Sequence, residues 1–168
     1  MMIKLSMSKI YLTTIFALAL ILSGCSLVPA PSKAPINKPV QESGLPKQEL
    51  SINGVKLSVE VAATEADKAH GLSDRQSLAD GTGMLFLFDK PDRYSFWMND
   101  MNFALDFIWL NQGQIVEITP QVPAPSTQYP MPASLRPSWQ IDAVIEVPAG
   151  WTARNNIAVG DEVLGLTR

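Results

Sequence analysis

Apolar and polar residues alternate from residue 50 onward. The alternation covers Leu50-Ser51-Ile52 and resumes from Val55 to Val61, with the pair Asn53-Gly54 between the two runs. An Asn-Gly pair between alternating runs is the strongest short signal for a tight turn joining antiparallel strands. The domain is therefore predicted to open with a β-hairpin.

A short helix is predicted directly after the hairpin. Thr64 is a suitable N-cap, Glu65 and Asp67 place acidic side chains in the first turn, and Gly71 follows His70 as a C-terminal glycine. These residues are typical of the start and the end of a helix. We expect two turns, from Glu65 to His70, and expect Leu72 to fold back onto them.

Short apolar runs separated by turn residues make up most of the remaining domain. They are Met84–Phe88, Tyr94–Met98, Phe103–Leu110, Gln114–Thr119, Trp139–Val147 and Glu162–Leu166. Short strands at this spacing favour a sandwich or a barrel, so the fold is predicted to be mainly β. Residues 151–157 suggest a second short helix. Six prolines between Pro120 and Ser138 predict a long loop, and loops of that length are usually functional or disordered.

The run Phe103–Leu110 is almost entirely apolar, as expected for a strand that is covered on both faces. Asp106 is its one charged residue. Because burying an unpaired charge is very costly, Asp106 is expected to have a partner.

An apolar segment also lies near the N-terminus. Lys4 and Lys9 precede the 13 residues from Ile10 to Leu22, and small residues follow before Cys25. This order is typical of a secretory signal peptide. A transmembrane helix, the competing interpretation, needs roughly 17 to 25 apolar residues. Residues 1–24 are therefore predicted to be a signal peptide that is removed.

Cys25 is the only cysteine in the chain and follows Leu22-Ser23-Gly24. The sequence resembles the bacterial lipobox, which implies that Cys25 receives a diacylglyceryl group and becomes the first residue of the mature protein. A free thiol is the alternative. Several acyl chains anchor a protein stably where one is marginal. We therefore expect the lipid bilayer as a partner, bound through acylated Cys25.

Residues 25–49 contain five prolines among Ser, Lys, Asn and Gln, without an apolar period. They are predicted to form a Pro-rich tether, which leaves 50–168 as one domain of ordinary size.

This domain has 14 acidic and 8 basic residues, a net charge of −6. Nucleic acid is not expected as a partner, because phosphate binding relies on basic patches. With one histidine and an acylated cysteine, no metal or cofactor is expected either.

Six ordered motifs between Val59 and Leu166 resemble the DUF192 family of uncharacterised bacterial and archaeal domains. They are Gly71-Leu72-Ser73-Asp74-Arg75, Gly83-Met84-Leu85-Phe86, Phe96-Trp97-Met98, Leu105-Asp106, Glu146-Val147-Pro148-Ala149-Gly150 and Gly160-Asp161. The resemblance implies a single jelly-roll-like β domain with a short helix, often exported, and no established activity. Asn99 stands where the family usually has Lys, and Ala104 where it usually has Pro.

Two of these motifs contain Arg75 and Asp106, which could form a structural ion pair or a ligand-binding pair. Trp97 leads directly into the polar turn at Asn99-Asp100 and is predicted to lie nearest a pocket, whereas Trp109 is predicted to be core. The candidate binding residues are therefore Arg75, Trp97 and Asp106.

Catalytic arrangements have less support. His70 is the only histidine, and no Gly-x-Ser-x-Gly motif is present. Asp106 with Asp100 or Glu146 could flank a glycosidic bond if the carboxyl groups lie about 5 to 9.5 Å apart. Glu146, within Ile145-Glu146-Val147, is more simply an outward or ion-paired strand residue.

The resulting hypothesis is a lipid-anchored envelope protein on the extracytoplasmic side of a membrane. Its domain would bind a saccharide or a peptide, without catalysis, in a cleft bordered by Trp97, Arg75, Asp106 and the 120–138 loop. The alternatives are a carboxylate-based glycan hydrolase that uses Asp106, and a structural partner-binding module with an exposed apolar patch. Ser26, in place of the Asp that marks inner-membrane retention, favours the outer membrane in a Gram-negative host.

Overall fold

The computed structural model describes residues 44–128 and 130–167. The predicted signal peptide, Cys25 and residues 26–43 of the predicted tether lie outside the described residues. The first strand begins at Lys47, so residues 47–49 belong to the domain and not to the tether.

The described part of the chain contains nine strands and two short helices. In chain order they are β1 (Lys47–Ile52), β2 (Val55–Ala62), α1 (Glu65–His70), β3 (Thr82–Asp92), β4 (Phe96–Trp97), β5 (Leu105–Asn111), β6 (Gln114–Val122), β7 (Ser134–Leu135), β8 (Ile141–Pro148), α2 (Trp151–Arg154) and β9 (Val163–Leu164). The prediction of a mainly β fold with one or two short helices is confirmed.

Seven strands form one strongly curled sheet in the order β6-β5-β8-β3-β2-β1-β9, a half-barrel. β2 and β3 run parallel, whereas the other neighbours in this sheet are antiparallel. The segment before β9 also reaches the start of β6. Ile115 N donates to Asp161 O at 2.9 Å, and Val163 N donates to Gly113 O at 2.8 Å. These hydrogen bonds join the two ends of the sheet.

The predicted hairpin and first helix are confirmed. Asn53 and Gly54 join β1 to β2 with φ values of 50° and 79°, as a two-residue hairpin turn of the Asn-Gly type requires. The Thr64 hydroxyl accepts a hydrogen bond from Asp67 N at 3.1 Å, and Thr64 N donates to Asp67 Oδ2 at 3.0 Å. This reciprocal pair satisfies two donors at the start of α1.

Each face of the sheet has its own apolar core. The concave interior contains alternate residues of the long strands together with Trp151, among them Ile108, Ile145 and Val147. The outer face contains Met84, Phe86, Phe107 and Trp109, covered by Leu72 after α1 and by the small sheet of β4 and β7. Strand β5 is therefore buried on both faces, as its composition predicted.

One close approach between strands depends on a glycine. A Cβ atom at Gly83 in β3 would lie 2.6 Å from the Glu146 carbonyl oxygen in β8. Since real Cβ atoms essentially never come that near a backbone oxygen, the two strands need glycine at this position to reach their observed spacing.

The strand boundaries differ from the prediction in the Pro-rich region. β6 continues through Pro120 to Val122, and β7 lies inside the segment that was predicted to be a loop. Proline is tolerated in β6 because this strand is at the edge of the sheet, where the missing N–H leaves no neighbouring carbonyl unpaired. β3 also continues through Asp89–Asp92, which was predicted to be a turn.

Candidate functional site

A cavity of about 280 Å³ opens on the outer face of the sheet. Its walls come from the end of α1 and the residues that follow it, from β3, and from β4. Five aromatic side chains line it, namely Phe86, Phe88, Tyr94, Phe96 and Trp97. Its polar lining includes Ser73, His70 and Glu146. Mostly apolar walls with few polar groups are typical of small-molecule sites, and this volume is near the lower end of their usual range.

The aromatic wall is held by ring contacts. Phe88 and Tyr94 stack with a centroid distance of 3.7 Å and an interplanar angle of 11°. Phe96 meets Phe86 edge to face at 5.1 Å and meets Trp109 in the same way at 5.4 Å. Because these contacts tie cavity residues to the buried core, the wall is formed before any ligand binds.

Trp97 is placed at the rim by the pairing of β4 with β7. Phe96 lies opposite Leu135 and Trp97 opposite Ser134, while Met98 N donates to Ala133 O at 2.9 Å. Alternate residues of a strand point to opposite sides, so Phe96 enters the core and Trp97 remains 66% exposed. The Pro-rich segment therefore supports the strand that presents Trp97, and its described residues do not line the cavity.

The rim on the α1 side is cross-linked to the turn after β4. Ser73 Oγ donates to Asn99 O at 3.1 Å, and Asp74 N donates to Asp100 O at 2.9 Å. The amide group of Asn102 donates to Arg75 O at 3.0 Å. These bonds fix the two polar loops that border the cavity.

Glu146 provides the buried acid of the cavity. In β8 it lies between Met84 of β3 and Phe107 of β5, and it is 5% exposed. Burial raises the pKa of Glu146 to about 8, although the nearby Arg75 charge acts in the opposite direction. Among the described residues, none donates a hydrogen bond to its carboxyl group. The expectation of an outward or ion-paired Glu146 is therefore wrong.

Arg75 pairs with Glu60, and the predicted pair with Asp106 is wrong. Arg75 Nη2 lies 2.5 Å from Glu60 Oε2, and both side chains are 15% exposed. Glu60, Met84 and Glu146 stand in one row across β2, β3 and β8, so the two glutamates share the outer face. Arg75 itself lines a neighbouring cavity, with Leu78 and Thr82.

Asp106 has a structural environment. Its Oδ1 accepts hydrogen bonds from Gln121 N at 2.8 Å and Gly150 N at 2.9 Å, and its Oδ2 accepts from Thr152 N at 3.0 Å and Thr152 Oγ1 at 2.6 Å. Burial pushes the pKa of Asp106 upward, but these four hydrogen bonds, led by that of the Thr152 hydroxyl, outweigh burial and hold the pKa below its ordinary value. The carboxylate thus ties β5 to a bulge in β6 and to the start of α2.

The three predicted binding residues do not share one cleft. Only Trp97 lines the aromatic cavity, Arg75 lines the neighbouring one, and the Asp106 side chain is fully buried. Asp106 lies opposite Val147 while Glu146 lies opposite Phe107, so the two carboxyl groups point to opposite faces of the sheet. This arrangement gives no support to a carboxylate pair that includes Asp106 and Glu146.

Sequence reasoning missed Glu146 as a cavity residue. The available signal was the one that singled out Asp106, an acidic residue inside an apolar strand, since Ile141–Pro148 carries Glu146 in such a run.

In residues 44–128 and 130–167, no three His, Cys, Asp or Glu side chains gather where they could hold a metal ion. Nor does this part of the chain include a helix with the length and apolarity to span a membrane.

The family model DUF192, described as "Uncharacterized ACR", matches residues 48–165, and the chain belongs to this family. No curated protein matches the chain.

Two solved structures are similar to the chain. One is a Novosphingobium aromaticivorans DSM 12444 protein of unknown function, with 30% identity and a TM-score of 0.64, covering 81% of this chain and 93% of that one. The other is a Sinorhizobium meliloti 1021 protein, provisionally described as a transcription regulator, with 24% identity and a TM-score of 0.66, covering 72% of this chain and 95% of that one. The second likeness concerns the fold alone.

The motifs that resemble the family divide between the cavity and the framework. Five of the six supply cavity residues, which are Gly71-Leu72-Ser73, Phe86, Phe96-Trp97, Leu105 and Glu146. The sixth, Gly160-Asp161, helps to join the ends of the sheet, since Gly160 N donates to Ile115 O at 2.8 Å. The residues that make this chain similar to the family therefore converge on the aromatic cavity.

Proposed function

We propose that this protein is a lipid-anchored envelope protein whose β domain binds a ligand, without catalysis, in the aromatic cavity. Acylated Cys25 would hold it on the extracytoplasmic side of the membrane, which is the outer membrane in a Gram-negative host. The ligand would be a saccharide or a peptide from the cell envelope. The observation that carries the proposal is a preformed cavity with Trp97 at its rim and a buried carboxyl group, that of Glu146, in its lining.

The proposed anchor is supported by the order of residues in the first 25 positions. Two lysines, a 13-residue apolar stretch and Leu22-Ser23-Gly24-Cys25 occur in the order of a lipoprotein signal. The Pro-rich residues that follow would keep the domain clear of the bilayer.

The proposed binding role is supported by the exposure of Trp97. Trp97 is 66% exposed where it lines the cavity, and its flat ring suits a sugar face or a peptide side chain. Trp139, which is 63% exposed, does not line the cavity and serves as a matched comparison.

A role in nucleic-acid binding has less support. The description as a transcription regulator applies to the Sinorhizobium protein and does not extend to this chain. Residues 50–168 of this chain include 14 acidic and 8 basic residues, whereas binding to phosphates relies on positive patches.

The anchor is tested by expressing the full chain in a Gram-negative host and analysing the N-terminus of the membrane-bound protein by mass spectrometry. We expect an acylated cysteine at position 25 and no preceding residues. The variant C25S should lose the lipid and leave the membrane fraction. A wild-type protein that retains residues 1–24, or an unmodified thiol at Cys25, would refute the anchor.

Ligand binding is tested with muropeptides, which are disaccharide-peptide fragments of the cell wall, and with chitotriose as a glycan without peptide. Tryptophan fluorescence and calorimetry would be recorded for the wild type, W97A and W139A. We expect saturable binding by the wild type and W139A, and at least a tenfold weaker affinity for W97A. Equal affinities of W97A and W139A would refute the proposal that the ligand binds in the aromatic cavity.

A further inference from the structure

The Glu146 carboxyl group has an unusual position for an acid inside an apolar cavity. Met84 and Phe107 flank it on the neighbouring strands, and 95% of the residue is buried, since its exposure is 5%. Among the described residues, none donates a hydrogen bond to the carboxyl group, although it lines the cavity. Because the carboxyl group lines the cavity, a ligand that supplies a donor to it would gain affinity there.

Two cations near the cavity lie within ion-pair distance of carboxylates other than Glu146. Lys68 Nζ lies 3.0 Å from Glu65 Oε1, and Arg75 Nη2 lies 2.5 Å from Glu60 Oε2. The Arg75 charge lowers the pKa of Glu146, but burial outweighs it and raises that pKa. A ligand cation at the Glu146 carboxyl group would stabilise the ionised form that burial disfavours.

The aromatic wall is also suited to a cation on an alkyl stem. Ammonium groups are attracted to the faces of aromatic rings within about 6 Å of the centroid. This protein already contains such a contact, because Lys68 Nζ lies 5.1 Å from the centroid of Phe88, one of the cavity rings. Methylene groups would pack against the same rings and lose contact with water.

We propose that the cavity accepts an alkylammonium group, in the form of a lysine or diamino-acid side chain of a peptide, with its ammonium nitrogen at the Glu146 carboxylate and its methylene stem against the aromatic rings. This inference rests on the proposed function and narrows its ligand to the peptide class. An amino sugar carries hydroxyl groups around its ring, and the apolar walls would leave most of them without partners.

Proton release should accompany this binding. Because the pKa of Glu146 is raised to about 8, the carboxyl group is mostly neutral at pH 6.5 and must lose a proton to pair with an ammonium ion. Affinity should rise about tenfold per pH unit up to about pH 8, then stay constant until the amine deprotonates near pH 10.4. The other titratable groups that face this region are Lys47, Glu60, Glu65, Lys68, His70, Arg75 and Tyr94.

The test uses the full-length membrane-extracted protein in detergent and three probes. They are N-acetyl-Ala-Lys-Ala-amide, the same peptide with norleucine in place of lysine, and glucosamine. Calorimetry at pH 6.5 in two buffers of different ionisation enthalpy counts the protons released per site. We expect the lysine peptide to bind at least tenfold more tightly than the norleucine peptide and to release close to one proton.

The variant E146Q should lose at least tenfold affinity for the lysine peptide and keep its affinity for the norleucine peptide. The matched control is E162Q, which replaces an exposed glutamate that does not line the cavity, and it should behave like the wild type. Far-UV circular dichroism would check that both variants are folded.

The possible results separate this inference from the proposed function. Equal binding of both peptides, an unaffected E146Q, or preferred binding of glucosamine would each overturn the alkylammonium inference. If muropeptides or chitotriose still bind in a Trp97-dependent way, the proposed function stands without it. If no probe binds, including the muropeptides, both are refuted.

Discussion

The guanidinium group of Arg75 lies 2.5 Å from the carboxylate of Glu60, and each side chain is 15% exposed. This ion pair connects the segment after α1 to β2, on the same outer face as Glu146. It fastens one border of the aromatic cavity to the sheet through two mostly buried charges. Its loss should therefore cost more than the loss of the exposed Arg154–Asp80 pair.

Replacing Arg75 with Gln should destabilise the domain by about 1 to 3 kcal/mol, between the values for exposed and fully buried pairs, because a mostly buried ion pair would lose its cation. Chemical denaturation would measure the change. R154Q is the matched control, since Arg154 and Asp80 are 54% and 73% exposed, and it should cost less than about 1 kcal/mol. Equal effects of the two variants would contradict the structural role of the Arg75–Glu60 pair.

Replacing Asp106 with Asn should destabilise the domain by about 2 to 4 kcal/mol, because an amide cannot accept all the hydrogen bonds that the two carboxylate oxygens now receive. The smaller change T152V removes only the hydroxyl donor and should cost about 1 to 2 kcal/mol. Urea denaturation gives both values. A D106N variant as stable as the wild type would show that this carboxylate does not organise β6 and α2.

The pH dependence of stability should reveal the raised pKa of the buried Glu146 carboxyl group. Its pKa in the folded state is about 8, above its ordinary value of 4.5, so the native state holds a proton that the unfolded state releases. The free energy of unfolding should therefore fall as pH rises from about 4.5 to about 8, by at most about 1.4 kcal/mol per pH unit from this group. E146Q should lack this decline and be more stable than the wild type at pH 8. A pH profile of E146Q parallel to that of the wild type would contradict a protonated Glu146.

Replacing Gly83 with Ala should lower the free energy of unfolding by at least about 1 to 3 kcal/mol. The added Cβ would lie 2.6 Å from the Glu146 carbonyl oxygen and push β3 away from β8. G81A is the comparison, since its Cβ would have no atom within 4 Å and would suffer only the strain of a φ of 73°. Thermal unfolding of both variants separates the clash from the strain. A G83A variant that is more stable than G81A would refute the close-approach argument.

Local signals in the sequence were enough for several elements. Asn53-Gly54 defined the hairpin, and Thr64 with Asp67 defined the start of α1, because the chemistry of turns and caps acts over a few residues. The composition of β5 likewise indicated burial on both faces. Signals of this kind need no knowledge of which strands are neighbours.

The site residues depended on information that the sequence does not contain. Arg75 and Asp106 lie in two motifs of one family, but the fold places them with different partners, Glu60 and Thr152. Glu146 looked like an outward residue because alternation along β8 does not reveal that α1 and β4 cover the outer face. β7 has only two residues, and Met98 and Ala133 hold it through backbone bonds without a side-chain signal.

The end of the described chain lies beside its first strand. The side-chain nitrogen Nε2 of Gln48 in β1 donates to Gly165 O at 2.8 Å and also contacts Thr167. Entry and exit of the domain are therefore neighbours on the same rim, and a linker of a few residues would connect them. The domain is thus suited to circular permutation, and new ends opened in an exposed turn such as Asn53-Gly54 would leave the aromatic cavity untouched.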